Sequence, residues 1–255
     1  MSESTLAGLR NWSAMSGRSI RLTRRNVEAG VTSLMLPVML MLMFVYLFGG
    51  AINTGTDYVQ YVVPGVLLLC VGFGSSLAAV AVSTDMNSGI SDRFRSMDVS
   101  GNAVVAGHVV ASVVRNAIST LLVFGVALLV GFRPHASPAG WAASGGILLA
   151  YVLAMSWFAA AVGLLARSPE GANAFTFVVM FLPYASSAFV PVDTMPSWLH
   201  GFARHQPSTP VIETLRRLLL HNNEAAAPWT ALAWCAGVLG ASMALTRVLY
   251  RLRTT

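Results

Sequence analysis

The sequence predicts an all-α, polytopic membrane protein with six transmembrane helices. Three observations carry this. The 255 residues are 55% hydrophobic, and only 10% are charged, against roughly 25% in soluble domains. The excess is gathered into continuous runs near the ~20 residues that cross a hydrocarbon core about 30 Å thick. The arginines lie mainly between and beside those runs, where topology signals belong.

Taken in order, the runs are Val31–Phe48, Tyr61–Val82, Ala103–Phe132, Trp141–Ala166, Ala172–Val190 and Pro228–Tyr250. Backbone amides and carbonyls have no water to pair with in lipid, so each run must satisfy itself as a helix. Barrel strands would alternate apolar and polar residues over about ten positions, and these runs do not. Neither the terminal segments nor any loop is large enough for a further soluble domain, so residues 1–255 read as a single transmembrane domain.

Orientation follows the arginines. Arg10, Arg18, Arg21, Arg24, Arg25, Arg93, Arg95, Arg167, Arg247, Arg251 and Arg253 fall on one side. Arg133, Arg204, Arg216 and Arg217 fall on the other, and Arg115 lies within the third run. The bias places both termini in the cytosol. The inner loop Ser83–Asn102 carries Met86, Ile90, Phe94 and Met97 at helical spacing, with Arg93 and Arg95 among its charges, which reads as an amphipathic helix. The N-terminal stretch, with Leu9, Trp12 and Ile20 among polar residues, reads as a second amphipathic helix, lying on the inner surface. The third outer segment, Pro191–Ala227, is long and patterned. Trp198, Leu199 and Phe202 share one helical face, and a further helix opens at Thr209-Pro210. Glu213 stands four residues before Arg217, a favourable helical spacing. The segment reads as a helical outer return before the last span.

Several functions are excluded. All sixteen basic residues are arginine. A phosphate-binding loop of the G-x-x-x-x-G-K-[ST] kind needs its lysine, so this chain has none, nor a lysine for a Schiff base. If ATP drives the protein, another subunit binds the ATP and its magnesium. Cys70 and Cys235 sit within apolar runs and read as small buried hydrophobes rather than a disulfide or metal pair. His200 and His205 are five apart, off one helix face, and with His221 read as loop residues rather than metal ligands. The pI near 10.0 reflects flanking arginines, not a phosphate-tracking patch, and excludes no membrane role while offering nucleic acid no surface. No cleavable signal is expected, because the first run is too long and comes after an arginine-bearing stretch. Catalytic, cofactor-binding and metal-ligating residues are therefore expected to be none.

Several segments, in order, resemble the membrane subunits of type-2 ABC exporters, particularly the daunorubicin-resistance type. Arg24-Arg25-Asn26, Pro37 and the run Phe44 to Ile52 resemble that family's first span. Tyr58, Tyr61 and Val63-Pro64-Gly65 resemble the start of its second. Arg93-Phe94-Arg95-Ser96-Met97 leading to Gly107 resembles its main inner loop, and Phe189 to Leu199, Gln206-Pro207 and Leu215-Arg216 its outer return. Asp98 stands where the family's loop often has proline.

The resemblance implies a permease subunit of the cell membrane that pairs with a second copy or homologue and with two cytosolic ATPase subunits. It would move a hydrophobic or amphipathic solute (drug, antibiotic or lipid) outward. It also implies that the inner loop couples to the ATPase, through Met86, Ile90, Arg93, Phe94, Arg95 and Met97. Pro191, Trp198 and Phe202 are expected at the outer gate or return, and Pro183 is expected to kink the fifth span. From the length of the third run, not from the resemblance, Arg115 is expected one turn inside the membrane, where it can snorkel. Two rivals stand beside this reading. An ATP-independent carrier or channel usually places charged or broken-helix sites at midplane, and a membrane-embedded enzyme needs convergent polar residues.

Overall fold

The computed structural model describes residues 27–52, 54–88, 101–220 and 228–254. These form α1 (Val27–Met43), which runs on into a π-helical turn (Phe44–Phe48), then α2 (Tyr58–Asn87), α3 (Gly101–Val130) and α4 (Pro138–Leu165). Next come α5 (Pro169–Tyr184), a 3-10 turn (Val192–Thr194), α6 (Ser197–His205), α7 (Ser208–Leu220) and α8 (Trp229–Thr254). Among the described residues no strand occurs.

Starts and stops obey local chemistry. Ser137 accepts from the Gly140 amide at 3.1 Å ahead of Pro138, and Ser168 from the Gly171 amide at 3.2 Å ahead of Pro169. Both are hydroxyl caps followed by a first-turn proline. Gly131, at φ +115°, ends α3 in a conformation that favours glycine.

Four helices are long and apolar enough to cross a membrane: α2, α3 from Val104, α4, and α8 to Tyr250. Four of the six expected spans are thereby found. The first expected span lies in α1 and its π-helical turn, continuous over residues 27–48, of which Met35–Phe48 is an apolar stretch. The fifth was expected over Ala172–Val190, yet α5 stops at Tyr184 and residues 185–190 turn. Pro183 lies in the last turn of α5, where its missing amide costs one bond to the preceding turn; α5 ends one residue on, so no longer helix is there to kink.

α2 and α4 are the core. Of their apolar windows 72% and 67% are buried, against 22% and 17% for α3 and α8. α2 packs on α3, α4 and α5, while α8 packs chiefly on α4. A helix apolar all round needs such cover. The outward leucines of α3, Leu121 and Leu129 among them, face away from the bundle, as expected of lipid contacts. Small residues permit the closest approaches: a Cβ on Gly163 would strike the Ala79 carbonyl, and one on Gly65 would lie 2.5 Å from the Ala188 Cβ. The chain is a multi-pass membrane protein built as an up-and-down bundle with two distinct ends.

Candidate functional site

At one end, here the loop end, α2 finishes and α3 begins. Asp85 and His108 are both buried there, with carboxylate Oδ2 and imidazole Nε2 3.0 Å apart. Around them Val82, Val105, Val109, Leu164 and Tyr250 form an apolar cluster. Met86, first of the expected coupling residues, is half-buried and packs against this cluster. Ile90, Arg93, Phe94, Arg95 and Met97 lie outside the described residues, as does the N-terminal amphipathic stretch.

Toward the middle of the bundle a polar seam joins three helices. Asn116 Nδ2 donates to Ser75 Oγ and Ser112 Oγ, each at 3.2 Å, and Ser112 and Ser156 share a hydroxyl hydrogen bond of 2.9 Å. Arg115 Nη2 donates to the Gly74 carbonyl at 2.8 Å. The expected snorkelling is corrected here. Arg115 stands opposite the midpoint of α2 and turns inward, where its guanidinium meets a carbonyl of the neighbouring helix. Periodicity gave no hint of this seam, since single serines in apolar helices read as packing.

The other end, the return end, is where sequence reasoning missed the most. After Tyr184 the backbone leaves helical form and its carbonyls must find donors. Tyr58 Oη donates to the Phe189 carbonyl at 2.9 Å, and Gln206 Nε2 to the Leu182 carbonyl at 2.8 Å. Arg216 is the central donor. Its Nη2 reaches the Ser187 carbonyl at 2.8 Å and the Tyr61 carbonyl at 3.1 Å, while its guanidinium lies 3.7 Å from the Tyr61 ring centroid. One arginine thus fixes α7 to the head of α2 and to the turn after α5. The only sequence signal was its place in Leu215-Arg216.

The expected return residues fall in this region but not in one site. Pro191 is half-buried and lines an open cavity, whereas Trp198 and Phe202 project from α6, 79% and 54% exposed. Thr209 and Pro210 lie in the first turn of α7, as their spacing suggested. Among the described residues Glu213 and Arg217 form no ion pair; both line the same cavity as Pro191. Arg204 pairs instead with Asp193 at 2.6 Å on the exposed surface. His200 spends a ring nitrogen on the Met195 carbonyl and His205 on that of Gly201, each at 2.8 Å. Among the described residues no three His, Cys, Asp or Glu side chains gather to hold a metal. Cys70 and Cys235 are buried and separate.

Known proteins resemble this chain in sequence over most of its length. Residues 10–220 match the family described as ABC-2 type transporter. The chain is 31% identical over 222 residues to the daunorubicin resistance ABC transporter permease protein DrrB1 of Streptomyces coeruleorubidus, covering 85% of this chain and 77% of that one. It is 22% identical over 224 residues to the probable doxorubicin resistance ABC transporter permease protein DrrC of Mycobacterium tuberculosis, covering 85% and 80%.

Proposed function

Because this chain belongs to the ABC-2 type transporter family, we propose that it is the membrane permease of an ATP-driven exporter, moving a hydrophobic or amphipathic solute outward. The observation that carries the reading is the family match over most of the chain, together with the drug-resistance names of the relatives. The absence of lysine supports a division of labour: ATP and magnesium bind to a partner ATPase, and this chain hydrolyses nothing. The complex contains a second copy or homologue of the permease, in the cell membrane, with both termini cytosolic. Residues 1–255 act as one transmembrane domain.

The mechanism rests on the two ends. The loop end is the receiver. A helix around Met86–Met97 docks into the ATPase, with Ile90, Phe94 and Met97 as apolar anchors and Arg93 and Arg95 fixing register. Asp85 and His108 lie just before and just after the segment 88–101 in the fold, so a push on that segment reaches α2 and α3 together. α2 is the most buried long helix and carries the displacement to the return end. There Arg216 ties its head to the turn after α5. Pro191, Trp198 and Phe202 belong to the outer gate, with the two aromatics of α6 lying in the lipid interface.

The experiment is co-expression with an ATP-binding-cassette ATPase and reconstitution of the complex. The permease alone should hydrolyse no ATP above background, and the complex should expel an amphipathic dye from vesicles only when ATP is supplied. Dye movement by the lone chain under an ion gradient would instead establish the carrier reading.

A further inference from the structure

Two cavities of opposite character meet at Trp234. The first, about 580 Å³, opens at the return end between the head of α2, the Pro191 turn, α7 and the start of α8. The second, about 110 Å³, lies beside it among α4, α5, α7 and α8, walled by Phe158, Leu182, Cys235 and Val238. Trp234 lines both, and along α7 the change from one to the other falls between Ser208 and Thr209.

We propose that the two cavities form one binding site for an anionic single-chain amphiphile, with its head in the polar cavity and its tail in the apolar one. The polar wall holds Arg204, Arg216 and Arg217 against Asp193 and Glu213, a surplus of one positive charge. Arg204 is committed to Asp193, and Arg216 to two carbonyls and the Tyr61 ring. Arg217 makes no hydrogen bond or ion pair among the described residues, is exposed, and is the donor left for an anion.

A second, independent sign is Ser187. It is 3% exposed, lines the same cavity, and its Oγ has no hydrogen-bond partner among the described residues. Buried hydroxyls are ordinarily paired, so this one is placed to donate to a head-group oxygen. The neighbouring cavity offers such a ligand almost nothing but apolar surface, and a chamber of this kind takes an apolar guest. A cation meets the wrong charge, and inorganic phosphate gains nothing from the apolar half. The inference goes beyond the exporter reading, since binding here needs neither ATP nor a partner.

The test uses the full chain in phosphatidylcholine nanodiscs without nucleotide, and dodecyl phosphate carrying a terminal diazirine. Saturable photolabelling is expected at Phe158 or between Cys235 and Val238. Unlabelled dodecyl phosphate should compete for it, while inorganic phosphate or dodecanol should not. Arg217→Gln, an exposed change that should not disturb folding, should weaken binding about tenfold. Val238→Trp, which fills the apolar cavity from a half-buried position, should abolish saturation. Unsaturable label on the outward Leu121 and Leu129 would overturn the proposal, as would Arg217→Gln binding like the wild type. Equal competition by dodecanol or by phosphate would overturn it too. Transport is not measured, so a failure here leaves the exporter reading standing, and a failure of the transport assay leaves this site standing.

Discussion

His108 Nε2 lies 3.0 Å from Asp85 Oδ2 where the last turn of α2 meets the start of α3. Both side chains are buried, and the pair bridges 23 positions of sequence. Removing one member of a buried pair strips the other of a partner it cannot replace from water. His108→Leu should therefore destabilise the chain by about 3 kcal/mol, read as a fall in Tm in detergent. Asp85→Asn keeps the shape and a hydrogen-bonding oxygen and should cost less. Equal Tm for His108→Leu and the wild type would show that the pair contributes nothing.

Arg216 makes a second prediction. Its guanidinium serves two carbonyls and one ring face at once, which an ammonium cannot copy. Arg216→Met leaves the Tyr61 and Ser187 carbonyls without this donor and should cost about 3 kcal/mol. Arg216→Lys should recover less than half of that. Full recovery by lysine, measured by thermal unfolding, would mean that charge alone matters.

Packing supplies the third. Gly163 faces the Ala79 backbone, with the Val82 Cβ 2.9 Å from where a Cβ would stand, whereas Gly146 on the same helix faces open space. Gly163→Ala should push α2 and α4 apart at about 1–3 kcal/mol. Gly146→Ala should be neutral or slightly stabilising, by up to about 1 kcal/mol. The contrast in Tm between the two is the measurement.

Orientation is the fourth. With Cys70 and Cys235 replaced, Ser197→Cys should react with an impermeant maleimide from outside intact cells, and Ser88→Cys should not. The reverse pattern would invert the topology drawn from the arginines.

The fifth concerns coupling. Phe94→Ala should weaken co-purification with the ATPase, or separate ATP turnover from transport, while leaving membrane insertion intact, because interfaces lean on a few apolar anchors. Phe202→Ala, exposed on α6 at the return end, should spare assembly. If Phe94→Ala and Met97→Ala both match the wild type in assembly, hydrolysis and transport, the loop is not the docking element. The Arg167–Gly171 turn at the same end would be tried next.

Much of the architecture was legible in the residues. Run length and apolar content marked the long spans α2, α3, α4 and α8, and Thr209-Pro210 marked the start of α7. These signals are local, because a helix in lipid satisfies its own backbone and needs only a continuous apolar stretch. Pro183 was visible as well. Whether a proline there kinks a longer helix or lies in the last turn of a shorter one depends on whether other elements can pair the backbone beyond it. Here the Gln206 and Arg216 side chains, together with the Tyr58 hydroxyl, take up the freed carbonyls, so stopping costs little.

The sequence by itself determined the class of protein: helical, multi-pass, without a phosphate-binding lysine, and similar in ordered segments to a permease family. Tertiary structure alone decided which polar residues meet. Asp85 with His108, Arg115 with Gly74, and Arg216 with Tyr61 across 155 positions leave no trace in spacing. Hydropathy is a property of each stretch of chain. A buried charge, by contrast, is tolerated only where another element brings it a partner, and that is set by how the helices pack.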